Sequence, residues 1–386
     1  MDDTLAAALT AWRRHLHATP ELSLHERETA AFVCARLAEL GIPWVAGVGG
    51  HGVVGTLSRG RSARSVGLRA DMDALPITET TGLAYASTRA GVMHACGHDG
   101  HTASLLGAAA LLARDPGWTG TVQLVFQPAE EGYGGARAML ADGLLERFPM
   151  QRIFAYHNWP GLAAGTVAVH DGAVMAGCAR LGVVLHGQAG HAGMPHLTRD
   201  PMLAAGHLLV ALQSVVSRAI DPLEPAVLSI CMVDGGAAYN QIPSSVRLVG
   251  SVRAFKPAVR AQMEAAIARV VEGIAATFGM RAAVDLPPGI CPTVNHAAEA
   301  GLAAAAVAEA GLVVRRDLPP AMTAEDFGGL LAERPGAFLW IGNGTAAGAG
   351  LHSPEYDFDD SILPVAATAL AAIARRALRD GSRPMT

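Results

Sequence analysis

"MHACGHDGHTASLLGAAALLARDP", residues 93–116, opens on a thiol, three imidazoles and a carboxylate. It then runs into an Ala/Leu-rich stretch with helical spacing, and Pro116 ends the helix that "HTASLLGAAALLARDP" predicts. Apolar strands flank it, "SVGLRAD" (65–71) before and "TVQLVFQPAEE" (121–131) after. Strand, helix and strand in that order make a crossover unit. Outward from it the alternation continues, with a helix at 26–41, the strand "GVVGTL" at 52–57 and the strand "RIFAYHNWPG" at 152–161. The pattern predicts an α/β fold, a mostly parallel sheet with helices on both faces.

From about residue 180 the order changes. A strand at 179–188, a long helix at 200–221, two strands at 226–236 and 244–255, a helix at 256–279 and a strand at 281–287 follow one another. That is β-α-β-β-α-β, the split pattern of a ferredoxin-like α+β unit. The alternation then resumes with helices at 296–310 and 324–335, a strand at 337–344 and a final helix at 361–379. The simplest organisation has one domain of residues 1–178 and 291–386 with a second, 179–290, inserted into it.

Composition narrows the function. The net charge is -5 over 386 residues, and Lys256 is the lone lysine. No basic face for nucleic acid is expected. The five cysteines are widely spaced and odd in number, which is not a disulfide framework and fits a reducing, cytoplasmic setting. The N-terminus starts acidic and becomes an amphipathic helix, unlike a signal peptide. No apolar run is read as approaching a membrane span, so no membrane partner is expected.

The chemistry gathers at predicted strand ends, where open α/β sheets build their sites. Cys96 and His98, one glycine apart, can present a thiolate and a neutral imidazole to one divalent ion. Glu130 and Glu131 are adjacent after a strand, so one can bind metal while the other handles protons. His157 follows an apolar strand, and His352 lies in the loop after "AFLWIGN". Each signal alone is weak, and a lone histidine is more often packed than ligating. Together, Cys96, His98, Glu131, His157 and His352 supply six bonds if one of them bridges. A bridging water or hydroxide brings the total to the eight that two tetrahedral ions need. His15, His17 and His25 read as surface or packing residues, and Met93 and Met175 as core. The glycine-rich "GNGTAAGAG" (342–350) opens no helix, so a dinucleotide site is excluded.

The stretches "RADMDALPI", "MHACGHDGHTA", "FQPAEEG", "AYHNWPG", "GHAGMPH", "NQIPSSVRLVGSVRAF", "AEDF" and "LHSPEYDF" run in order over nearly the whole chain. In these the protein resembles the M20 metallopeptidase family, in the amidohydrolase branch of hippurate hydrolases and plant auxin-conjugate hydrolases. The resemblance implies a catalytic di-metal domain and an inserted lid that mediates dimerisation or a higher homo-oligomer. It implies metal ligation by Cys96, His98, Glu131, His157 and His352, with Glu130 as general base toward a metal-activated water. It makes His191 an assistant of the transition state, often acting from the partner subunit, and points to Asn240, His196 and Arg253 as substrate-binding. The wider family places a ligand histidine in an H-x-D motif. This chain has Asp71-Met72-Asp73 there, and both aspartates are read as orienting groups behind the ligands.

The expected enzyme is thus an aminoacylase-like amidohydrolase acting on N-acyl amino acids, with two divalent ions of zinc, manganese, cobalt or nickel. A dipeptidase or carboxypeptidase of the same fold is the alternative. More distant are a non-catalytic metal-binding protein and a thiol redox role for Cys96. The first leaves Glu130 without a purpose, and the second finds no second cysteine near Cys96 in sequence.

Overall fold

The alternating half of the chain forms an eight-stranded sheet. Its strands are β1 (Trp44–Val48), β2 (Gly52–Arg59), β3 (Ser65–Asp71), β4 (Gly120–Gln127), β5 (Arg152–Trp159) and β6 (Val167–Val169), with Val314–Arg315 and Gly336–Gly342. In space they run β1-β2-β4-β3-β5, then Gly336–Gly342, β6 and Val314–Arg315. The centre is parallel, β3 pairing with β4 and β5, and β5 with Gly336–Gly342. β1 and β2 add an antiparallel edge, and β6 runs against Gly336–Gly342. The central strands are buried along nearly their whole length, as strands covered by helices are. The computed structural model describes residues 1–345 and 349–380, so part of the glycine-rich 342–350 stretch lies outside the described residues.

Helices α1 (Asp3–Ala18), α2 (Arg27–Glu39), α3 (His98–Arg114) and Leu363–Arg379 share one apolar core with this sheet. α3 begins at His98, three residues before the predicted start. Gly97 caps it at φ +94°, a left-handed conformation, and a Cβ there would collide with Asn158 Oδ1 and Tyr356 Oη. Glycine is therefore required between Cys96 and His98, and it places one side chain before the helix and the other in its first turn.

Two compact units result. One comprises Met1–Val174, Thr293–Pro319 and Asp326–Thr386, the other Met175–Pro292 with Pro320–Glu325. In the second, a four-stranded antiparallel sheet has the order Ala226–Asp234, Ser245–Ala254, Gly177–His186, Arg281–Asp285. Helices Pro201–Ser214 and Pro257–Thr277 share its core, giving the ferredoxin-like arrangement.

Three expectations change. Pro320–Glu325 packs with the second unit, because Ala176 N–H donates to the carbonyls of Ala321 and Thr323 and Arg253 Nη1 donates to that of Met322. The helix predicted over 324–335 is only Gly328–Glu333, since Asp326 is engaged in side-chain bonds that hold the chain in a turn. Two helices, Pro201–Ala219 and Asp360–Arg379, are long and apolar enough to cross a membrane by length and composition, contrary to the reading that no run approaches a span. Both place side chains in the cores of their units, among them Leu208 and Leu212 in one and Leu370 and Ile373 in the other.

Candidate metal centre

Five predicted side chains from distant parts of the chain meet at the carboxyl ends of the parallel strands. Cys96, His98 and His157 have ligand atoms within 4.8 Å of one another, as do Cys96, Glu131 and His352, and His98, Glu130 and Glu131. Cys96 Sγ lies 3.3 Å from His157 Nε2, and His352 Nε2 lies 3.3 Å from Glu131 Oε1. Cys96, His98, Glu130 and His157 are buried, while His352 is exposed and opens the cluster to solvent.

The local chain dictates these placements. His157 lies two residues before the end of β5, and its Nδ1 donates to the Asn158 carbonyl at 2.7 Å, leaving the Nε2 lone pair aimed at Cys96. His352 adopts φ +64°, and its N–H donates to the Ala95 carbonyl at 2.8 Å, tying the late loop to the Cys96 stretch. Ala129, just before the two glutamates, is also left-handed, at φ +55°. Such strain in residues that are not glycine persists only where surrounding contacts hold it.

Asp73 accepts from His98 Nδ1 at 3.2 Å with Oδ1, and with Oδ2 from the Glu131 N–H at 3.0 Å and Ser23 Oγ at 2.6 Å. One carboxylate thus orients two candidate ligands. Asp71 pairs with Arg69 Nη1 at 2.7 Å and His101 Nδ1 at 2.6 Å, and its Oδ2 lies 3.7 Å from His98 Nε2.

The charge balance fits a cation. Burial disfavours the charged form of His98, yet Asp71, then Asp73 and Glu131, push its pKa up to about 10. Burial, then Glu131, Glu130 and Asp71, raise the Cys96 thiol well above its ordinary value. Burial and His101 hold His157 well below the usual histidine value, so it is a neutral imidazole. His98 Nε2 and Glu131 Oε1 are buried with no hydrogen-bond partner among the described residues, although they lie only 3.9 Å apart. A site rich in negative charge, with an orphaned nitrogen and an orphaned oxygen beside the Cys96 sulfur, suits divalent ions of zinc-like chemistry.

Residues 67–376 match the peptidase family M20/M25/M40. The chain belongs to that family. It is 40% identical over 376 residues to the N-acetyl-L-cysteine deacetylase of Bacillus subtilis, covering 97% of this chain and 89% of that one. It is 38% identical over 371 residues to the hippurate hydrolase of Campylobacter jejuni, covering 95% and 96%. Its fold superposes with a TM-score of 0.85 on a dinuclear metal-binding peptidase of the M20 family from Bacillus subtilis, at 35% identity and with 98% and 99% of the chains covered. These relatives place it in the amidohydrolase branch of the M20 family, an enzyme that hydrolyses amide bonds and uses divalent metal.

The other predicted residues of this M20 enzyme belong to the second unit. His191, His196 and Asn240 are exposed. His191 pairs with Gln241 across a short ladder, and the Asn240 carbonyl accepts the Ala192 N–H at 3.0 Å, so His191 and Asn240 are neighbours. Arg253 is half-buried and gives Nη1 to the Met322 carbonyl at 2.8 Å. Several buried polar residues escaped the sequence reading. His101 sits three residues after His98 on α3, a spacing that puts both on one helix face, and this could have been read. Asp326 accepts from Arg69, Gln127 and Ala136, and its own N–H donates to Glu130 Oε1 at 3.3 Å. His17, read as a surface or packing residue, is fully buried and polar in role, with Nδ1 2.8 Å from Asp99 Oδ2. No sequence signal marked it.

Proposed function

We propose that the enzyme hydrolyses the amide bond of N-acyl amino acids, hippurate-like, N-acetyl or aryl-acetyl, to a carboxylic acid and a free amino acid. The observation that carries the reading is Glu130, a buried carboxylate beyond the five-ligand set and within 4.8 Å of His98 and Glu131. Cys96, His98, Glu131, His157 and His352 would hold two divalent ions, zinc, manganese, cobalt or nickel, whose Lewis acidity lowers the pKa of water toward neutrality. Glu130 takes the proton of the attacking water at the scissile carbonyl and later returns it to the leaving amine. The Asp326 N–H steadies its Oε1 for that role.

His191 accepts the Gly193 N–H at Nδ1 over 3.0 Å, which puts its own proton on Nε2. From there it donates to the carbonyl oxygen as negative charge develops. Asn240, His196 and Arg253 recognise the amino-acid carboxylate, Arg253 with the guanidinium nitrogens that Met322 leaves available. Asp71 and Asp73 act behind the ligands.

The relatives that act on N-acyl amino acids support the substrate class. The edge strand Ala226–Asp234, with Met232 and Val233 exposed, supports self-association through the second unit. Five free thiols suit a cytoplasmic setting. The test is a panel of hippurate, N-acetyl amino acids, indole-acetyl conjugates and free dipeptides assayed with each metal. Turnover of the acylated substrates over the dipeptides is expected, and the reverse order would replace this reading with a dipeptidase.

A further inference from the structure

Glu26 is fully buried at the start of α2, where a side chain ordinarily caps the helix, yet it makes no capping bond. Its carboxylate is turned elsewhere. Oε1 accepts the N–H of Ala129 at 2.7 Å, and Oε2 has no hydrogen-bond partner among the described residues. Ala129 is the left-handed residue that precedes Glu130 and Glu131. Its carbonyl is held as well, by the Gly135 N–H at 3.0 Å.

We infer that Glu26 is a positioning residue, one that holds Ala129 in its left-handed conformation and so aims Glu130 and Glu131 into the metal centre. The inference rests on the roles proposed above for those two glutamates. The physical argument is short. An alanine at positive φ is strained and relaxes unless its peptide groups are pinned on both sides. Without Glu26, the Ala129 N–H would be buried and unsatisfied, a further penalty that rotation to negative φ would relieve. Rotation at Ala129 redirects the chain immediately before both glutamates. Asp73 restrains the Glu131 N–H, and among the described residues it is Glu26 that restrains the N–H of Ala129.

Two substitutions of similar volume separate this role from mere packing. Glu26→Gln keeps a carbonyl oxygen to accept the Ala129 N–H, and Glu26→Met keeps the shape without an acceptor. Zinc affinity, measured by titration of the metal-free protein, is read beside kcat and KM. Glu26→Met is expected to weaken zinc binding about ten-fold. It should lower kcat about ten- to a hundred-fold with KM changed less than about two-fold. Glu26→Gln should match the wild type in every readout. Adding Ala129→Gly to Glu26→Met should recover part of the loss, because glycine enters the left-handed region freely. The inference is overturned if Glu26→Met matches the wild type in affinity and turnover, or if Glu26→Gln is as impaired as Glu26→Met. Should the wild type not turn over N-acyl amino acids, the functional reading falls on that result alone. The zinc titration of the two variants still decides the role of Glu26.

Discussion

Asp73 Oδ1 accepts from His98 Nδ1 at 3.2 Å while its other oxygen holds the backbone N–H of Glu131, so one buried carboxylate sets the direction of two candidate ligands at once. Asp73→Asn preserves the shape but weakens both contacts and removes a negative charge. Metal affinity is expected to fall about 10–100-fold, with Tm in the presence of metal falling accordingly. Titration with zinc or manganese measures it. An affinity equal to wild type would show that His98 and Glu131 are oriented by other groups.

Glu130→Gln should leave the metal content unchanged, since five other side chains make up the proposed ligand set. It removes the proton acceptor, and kcat should fall about 10²–10⁴-fold. Elemental analysis and steady-state kinetics on one preparation check this pair of outcomes. Retained turnover would remove Glu130 from the proton transfer.

Arg13 is buried and reaches Asp99 at 2.9 Å, Asp357 at 2.6 Å and Asp360 at 3.4 Å. Asp99 adjoins His98, and Asp357 follows His352 in the same loop, so the guanidinium ties α1 to two parts of the site. Arg13→Met leaves Asp99 without its principal partner and should destabilise the fold by about 3–5 kcal/mol, read from denaturant midpoints. Burial opposes ionisation of Asp99, but Arg13 and then His17 outweigh it and hold its carboxyl far below the ordinary range. That stabilisation is present above the unfolded-state pKa and is lost as pH falls through the folded one. The deficit of the variant should therefore narrow below about pH 4. A gap that does not change on acidification would mean that the charge pair is not its source.

Glu26 carries the opposite sign. Burial, and to a smaller degree Asp73, push its pKa up from 4.5 to about 7. The folded state binds this proton more tightly than the unfolded one, so its contribution declines as pH rises from 4.5 to about 7 and then levels off. Glu26→Gln cannot ionise and escapes the loss. Its stability relative to wild type should grow across that window by a few kcal/mol at most. Urea midpoints at the two ends of the window decide it, and a constant difference would count against a raised pKa.

Much of the candidate site was readable because its residues lie in or after apolar strands or at the opening of a helix. Cys96, Glu131, His157 and His352 stand where strand ends in an open α/β sheet converge, and pattern alone places strand ends. Asp73 and Asp71 were readable as orienting groups only through the resemblance. Arg13, His17, Glu26 and Asp326 were not readable. Each looks like an ordinary surface polar residue in its own helix or turn, and its meaning comes from a partner 80 or more residues away, as with Arg13 and Asp99 or Glu26 and Ala129.

Periodicity, glycine placement and residue chemistry determine, within the chain itself, an α/β unit interrupted by a ferredoxin-like one and the residue types able to hold divalent metal. These are local properties, set by which faces must be buried and which atoms can donate a lone pair. Only the tertiary structure decides that Ala129 and His352 are held at positive φ, that Asp73 serves two candidate ligands, and that His98 Nε2 and Glu131 Oε1 face each other 3.9 Å apart without a hydrogen bond. Those outcomes depend on packing and on charges brought together from distant segments, and no local pattern encodes the distance between them.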